Sequence, residues 1–288
     1  MMRRLRATVT AVQEGQTVKA VLRQEFGFAE SMLSHLKFVE HAVLKNGAST
    51  RLMATVRVGD GIEVLLESAD AKNFPLPKLY EDEDLLIFSK PAGMAVHGIA
   101  DGPETVESLW RVTVGTALHA VNRLDRGTSG AMVAAKNGFV HDRLRELLHT
   151  EDFSRSYLAV VTGCVAAERG EIDLPLGREN GKSFPSPEGK AALTRYEVLA
   201  RGEGYTLLRL FLLTGRTHQI RAHCAAIGHP LAGDRLYGAE DDFWRPALHS
   251  AEISLKHPLR GECLRVTAPI PEDMATLLRE KMMKNFEK

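Results

Sequence analysis

Residues 122–130 read NRLDRGTSG: an aspartate between two arginines, followed by small and hydroxylated residues that favour turns. A carboxylate beside a guanidinium is held ionised, because the opposite charge favours the charged form. In an extended segment residues two apart share a face, so Arg123 and Asp125 would point into one cleft. There an ionised aspartate could serve as nucleophile or base. A surface Arg–Asp pair ending a strand and followed by a Gly-Thr-Ser-Gly turn is the plainer account. Taken alone it is the better one, since exposed ion pairs are commonplace.

Outward from this stretch the chain alternates strand-like runs with turns and a few helices. Leu85–Phe88, GAMVAAKN (130–137), SYLAVVTG (156–163), YTLLRLFLL (205–213) and CLRVTAPI (263–270) read as strands. FVHDRLRELLHT (139–150) and THQIRAHCAAIG (217–228) read as helices, the second with Ile220, Cys224 and Ile227 as a buried stripe. Strands without a regular strand–helix–strand rhythm predict an α+β fold rather than a doubly wound sheet. Upstream, residues 15–38 carry apolar side chains at helical spacing: Val18, Val21, Leu22 and Phe26, then Leu33 and Leu36 after a break at Gly27. Asn46-Gly47 and Asp60-Gly61 mark turns between short strands. Residues 1–70 therefore form a small unit, 71–78 a proline-bearing linker, and 79–288 a second domain.

The composition limits what such a chain does. Lys plus Arg and Asp plus Glu each number 37 among 288 residues, so any nucleic-acid binding must come from a local basic face rather than overall charge. Three cysteines, Cys164, Cys224 and Cys263, have no paired spacing, which predicts small buried thiols in a reducing cytoplasm. The basic start MMRRLR lacks the apolar run of a signal peptide, and no stretch is long enough to cross a bilayer. A soluble, cytoplasmic protein is expected.

Three further stretches bear on chemistry. Residues 213–238, LTGRTHQIRAHCAAIGHPLAGDRLYG, gather Arg216, Arg221 and Arg235 with Asp234 as the only opposing charge. A cationic wall facing phosphate or RNA fits the arginines. A metal site from His218, His223, Cys224 and His229 fits poorly, because His218 and His223 are five apart and not on one helix face. A solvated basic helix is the simpler alternative. In RSYLAVVTG (155–163), Tyr157 is either an ordinary buried tyrosine or a stacking platform for a base. KPAGMAVHG (90–98) places Lys90 and His97 about a tight turn and suggests no role by itself.

Taken in order, KPAGMAVHG, NRLDRGTSG, RSYLAVVTG and LTGRTHQIRAHCAAIGHPLAGDRLYG, continuing through ALHSAEISLKHP to APIP, closely resemble the RluA-type family of pseudouridine synthases over residues 79–275. The resemblance implies an α+β catalytic domain, a curved and mainly antiparallel sheet with a central cleft. It implies an isomerase that detaches uracil from its ribose in RNA, rotates it and rejoins it through carbon. Neither cofactor nor metal is implied, the reaction being redox-neutral. Asp125 matches the catalytic aspartate, Tyr157 the residue that stacks on the target base, and Arg221 the charge partner of the aspartate. Arg123 matches a residue that fills the space left by the flipped nucleotide, and Ile220, Arg126 and Arg216 fall to substrate binding. A cationic face of Arg123, Arg126, Arg216, Arg221 and Arg235 is expected to carry the RNA, ribosomal or transfer, and the protein to act as a monomer.

Residues 1–70 resemble more faintly the small RNA-binding domain named after ribosomal protein S-four. Where that domain has Ser-Arg at its second helix, this chain has Ala29-Glu30, and Glu30 would repel phosphate. In the second domain Asn122 stands where some members have His, and Arg155 where many have Lys. The sequence leaves two rival functions: an RNA-binding assembly factor that keeps the fold without catalysis, and a metal-dependent hydrolase built on the His218–His229 cluster.

Overall fold

The computed structural model describes residues 2–98, 104–148 and 150–282. The chain opens with β1 (Met2–Thr8), α1 (Val18–Phe26), α2 (Glu30–Leu36), β2 (Val43–Lys45), β3 (Ala48–Ser49) and β4 (Gly61–Glu67). These strands form one sheet in the order β1-β4-β2-β3. Thr17 caps α1 through its side chain, and Gly27 ends it in the left-handed region at φ 73°. The α2 N-terminus begins at Ala29 and has no side-chain cap, the cost of Ala at a position that favours Ser. Asn46 and Gly47 both take positive φ, as a two-residue hairpin requires. The second expected turn is shifted: it centres on Gly59 at φ 85°, while Gly61 already starts β4 and Asp60 caps the turn through the Arg57 amide. β1 is an element the sequence reading missed.

The second unit follows with β5 (Lys78–Glu81), β6 (Leu85–Lys90), α3 (Val106–Val114), β7 (His119–Ala120), β8 (Ser129–Ala135), α4 (Gly138–Leu147) and β9 (Phe153–Thr162). Then come β10 (Arg169–Asp173), β11 (Leu176–Glu179), β12 (Lys182–Pro185), β13 (Leu193–Gly202) and β14 (Tyr205–Leu212). The chain closes with α5 (Gln219–Ala226), β15 (Leu248–Lys256), β16 (Cys263–Thr267) and α6 (Glu272–Met282). His149 in the expected helix 139–150 and residues 283–288 of the expected second domain lie outside the described residues.

The large sheet runs β10-β13-β14-β9-β15-β8-β6-β5, with β16 on β15 and β7 on β8. Every pairing is antiparallel except β15 with β8, a short parallel junction of His249 with Ser129 and Ser250 with Gly130. Asp125 leads into β8 and Tyr157 lies on β9, so the two approach each other across β15 at the middle of the sheet.

The central strands β6 and β8 are buried on both faces of the sheet. Leu85 and Ile87 pack with Val133 and α4 on one side, Leu86 and Phe88 with Met132 and Trp110 on the other. All seven residues of β8 are buried, which is why it reads as an apolar run instead of alternating. The first core layer also contains Val21, Leu33, Ile62 and Val64, so the N-terminal unit shares its core with the second. Phe28 stacks on Phe139 with ring centroids 4.2 Å apart, and Arg3 Nε donates to Asp84 at 2.8 Å. The stretch 71–77 has no helix or strand, yet its Phe74 is buried against Phe88 and Trp110.

Candidate active site

Asp125 sits in the loop between β7 and β8, and two neighbouring segments hold that loop. Lys90, completely buried at the end of β6, donates from Nζ to the carbonyls of Pro91 at 2.8 Å, Met94 at 2.7 Å and Arg126 at 3.4 Å. Gly93 and Arg126 bond reciprocally: the Gly93 amide donates to the Arg126 carbonyl at 2.8 Å, and Arg126 Nε donates to the Gly93 carbonyl at 2.9 Å. On the far side Arg245 Nη1 donates to the carbonyls of Gly127 and Leu248, both at 3.1 Å, while Asp273 accepts from its Nε and Nη2. The TSG end of the motif has a backbone reason. Gly130 takes φ 110°, and a Cβ there would lie 2.2 Å from the Ser250 carbonyl oxygen at the parallel junction.

The charge environment of Asp125 differs from the expectation. Arg123 and Arg126 form no ion pair with it; Arg126 is turned to Gly93, and Arg123 is exposed on the pocket rim. The neighbouring segment 123–125 is irregular, not a strand. Arg221 does reach Asp125, with Nη1 at 3.8 Å from Oδ2, but this is too long for a hydrogen bond. Its main partner is Asp234, wholly buried, which accepts from Nε at 2.6 Å and Nη2 at 2.7 Å. Burial drives the Arg221 pKa down, the Asp234 pair outweighs it, and the net shift is upward.

His218 Nε2 lies 3.9 Å from the same Asp125 oxygen, and its Nδ1 is 3.2 Å from the Tyr237 hydroxyl. Burial lowers the His218 pKa, against the attraction of Asp125, so the ring is neutral at pH 7. His218 takes the left-handed conformation at φ 52°, and Gln219 organises the turn beside it by accepting from the Arg216 amide and the Thr214 hydroxyl. Lys90 is a second cation near Asp125; burial pulls its pKa down to about 7, while Asp125 raises it and Arg245 lowers it.

Tyr157 is 4% exposed, and burial raises its phenol pKa, so it stays neutral. It shares a small open pocket with Asp125, Leu124, Ile220, Arg221, His218 and Leu248. A wider cleft with about 1650 Å³ of open space adjoins it. Its walls carry Arg123, Arg126, Arg145, Arg155, Arg178 and Arg216, and Asp125 is its only acid among the described residues.

Several expectations need correction. Arg235 is absent from both linings, and Arg221 is committed to Asp234, so the cationic face is made instead with Arg145, Arg155 and Arg178. These three stand on α4, β9 and β11, far apart in sequence. Ile227 is only half-buried, so the α5 stripe stops at Cys224. Cys224 is buried and its thiol pushed up to about 12, but Cys164 and Cys263 are exposed, against the expected burial. His218, His223, Cys224 and His229 do not converge. Both His223 nitrogens are engaged, by the Thr194 hydroxyl and the Leu174 carbonyl, and His229 Nδ1 turns to the Thr162 carbonyl. Lys90, His218, Asp234 and Arg245 are site residues whose part the sequence did not disclose.

Comparison with known proteins agrees with this architecture. Residues 84–226 match the family model described as RNA pseudouridylate synthase. The chain is 35% identical over 277 residues to the uncharacterized RNA pseudouridine synthase YjbO of Bacillus subtilis, covering 88% of this chain and 96% of that protein. It is 35% identical over 316 residues to ribosomal large subunit pseudouridine synthase D of Haemophilus influenzae, covering 95% and 94%. The solved structure of human RNA pseudouridylate synthase domain containing 4 superimposes with TM-score 0.60 at 23% identity, covering 70% of this chain and 92% of that one, a likeness of fold. A chain with this sheet and these relatives belongs to the RluA-type RNA pseudouridine synthases, isomerases that convert uridine in RNA to pseudouridine.

Proposed function

We propose that this protein isomerises uridines of ribosomal or transfer RNA with Asp125 as nucleophile, acting as a cytoplasmic monomer. The observation that carries the reading is the approach of Asp125 and the buried Tyr157 ring in one pocket opening onto an arginine-lined cleft. A uridine inside a folded RNA must leave its stack before its glycosidic bond is accessible. Arg123 on the pocket rim fills the gap it leaves, and Arg126 and Arg216 hold the displaced strand. The uracil ring lies against Tyr157 and Ile220 while Asp125 attacks the uridine. The N1–C1′ bond breaks, the base turns, C5 bonds to C1′, and the bond between Asp125 and the nucleotide is broken again, which returns the free carboxylate. The C5 hydrogen leaves as a proton and N1 takes one up, so atoms and electrons balance without a redox partner.

Arg221 turns its positive charge toward the attacking carboxylate, and Asp234 fixes the guanidinium so that its remaining nitrogen faces Asp125. Light scattering on the purified protein tests the monomer.

The deciding experiment maps pseudouridines in total RNA from cells lacking the gene, before and after incubation with wild type or Asp125→Asn. New sites with wild type alone are expected. Substantial turnover by the Asn variant would remove Asp125 from its role, and no new site in ribosomal or transfer RNA would overturn the substrate class.

A further inference from the structure

Five of the six arginines of the wide cleft are exposed, as solvated phosphate contacts usually are. Arg155 is not. It is 9% exposed, its Nε is buried without a hydrogen-bond partner, and among the described residues it forms no ion pair. Its guanidinium lies 5.8 Å from the centroid of the Phe153 ring, an attraction that does not replace hydrogen bonds. Burying an unpaired cation is costly, and chains retain such groups where a partner of opposite charge is met.

Two features aim Arg155 at the substrate. It precedes Tyr157 by two residues on β9, so both side chains leave the same face of the strand, about 7 Å apart along it. That is the scale of the step from a base to the phosphate of its own nucleotide. The guanidinium also borders Gly215, an exposed residue: a Cβ there would come 3.5 Å from Nη1 and 3.9 Å from Nη2, so the absence of a side chain leaves these donors open to the cleft. The planar fork of arginine suits bidentate contact with phosphate oxygens.

We propose that Arg155 is the phosphate anchor of the flipped nucleotide, binding its backbone phosphate while Tyr157 holds the base. This rests on the proposed pseudouridylation of RNA and assigns one subsite within it.

The test compares wild type, Arg155→Gln, Arg155→Lys and Gly215→Leu. Binding to a fluorescein-labelled single-stranded uridine dodecamer is followed by anisotropy across salt concentrations. Turnover is followed by tritium release from C5-tritiated ribosomal and transfer RNA transcripts. Arg155→Gln should weaken binding about tenfold and make the salt slope shallower by about 0.7, one single-strand phosphate contact. It should raise KM with kcat changed less, the mark of a contact made in ground and transition states alike. Arg155→Lys should recover the slope. Gly215→Leu leaves Arg155 in place but covers its fork, at an exposed position outside the left-handed region, and should reproduce the loss even where Arg155→Gln does not fold. Unchanged slopes in Gly215→Leu and in any folded Arg155→Gln would overturn the anchor, whatever the turnover. If wild type released no tritium while the slopes changed as expected, the anchor would stand and the catalytic reading would fall.

Discussion

Arg221 grips Asp234 through two hydrogen bonds of 2.6 and 2.7 Å and meets Asp125 only at 3.8 Å. The charge partner of the proposed nucleophile is therefore a guanidinium already held and oriented by a buried acid. This solves a conflict of distances. A tight Arg221–Asp125 pair would have to be broken for Asp125 to reach a substrate, whereas a guanidinium anchored elsewhere supplies field without occupying the attacking oxygens.

The arrangement separates stability from activity. Asp234→Asn leaves Arg221 buried with only Asp125, 3.8 Å away, as counter-charge and should lower unfolding free energy by about 3 kcal/mol, the low end for removing one member of a buried pair. Asp125→Asn, on a half-exposed side chain with no hydrogen bond, should change it by less than about 1 kcal/mol while abolishing turnover. Urea unfolding of both variants beside a tritium-release assay checks this; equal destabilisation would show that the two carboxylates share one structural role.

Lys90 gives the fold a pH signature. Its pKa is about 7 in the folded protein against 10.5 for an ordinary lysine, chiefly through burial. Between these values the unfolded chain holds a proton that the native protein has released, so stability rises with pH through the window and is flat in this respect below it. The contribution is of order 5 kcal/mol at about 1.4 kcal/mol per unit. Unfolding free energies from pH 6.5 to 10 should rise less steeply in Lys90→Met than in wild type. Parallel curves would mean that Lys90 stays charged in the folded protein.

How much of this the sequence revealed depends on whether the information was local. Asp125, Tyr157 and Arg221 were legible because each stands in a distinctive run, and α1 and α2 because Val18, Val21, Leu22, Leu33 and Leu36 keep helical spacing. β1 was not, because only Leu5 of Met2–Thr8 is buried and its arginines read as a basic lead. The role of Lys90 was hidden because its burial depends on a loop 36 residues away folding over it. Asp234 was seen as a lone acid among arginines, but its clamp on Arg221 across 13 residues depends on the turn at Gly233. Three members of the cationic cleft stand on α4, β9 and β11 and are gathered only by the fold, so a list drawn from two motifs included Arg235 and omitted Arg145, Arg155 and Arg178.

Gly130 is the backbone counterpart of that long-range dependence. Alanine there must tolerate φ 110° and a Cβ 2.2 Å from the Ser250 carbonyl oxygen, and neither strand of the parallel junction has room to yield. Gly130→Ala should cost more than about 4 kcal/mol and remove activity, since Asp125 lies five residues upstream in the same run. Gly181→Ala offers the control: φ is 79° and nothing lies within 4 Å, so only the left-handed penalty of about 1–2 kcal/mol applies. Similar thermal shifts in the two variants would show that the junction relaxes.

The shared core predicts how the two units unfold. Phe28, 2% exposed, stacks on Phe139 of α4, and α4 packs against β8, the strand that follows Asp125. Glu30 pairs with Lys19 at 2.6 Å and with Arg23 at 3.6 Å, so two cations of the N-terminal unit are occupied within it. These contacts favour a structural part over an independent RNA-binding one. Phe28→Ala should cost about 3–5 kcal/mol, the usual range for a buried aromatic truncated to Ala. The loss should appear in one cooperative transition seen identically by far-ultraviolet circular dichroism and by the fluorescence of Trp110, which is wholly buried in the opposite core layer. An early transition visible by dichroism alone, with Trp110 fluorescence and tritium release unchanged until a second one, would show that the N-terminal unit melts separately and that the catalytic sheet stands without it.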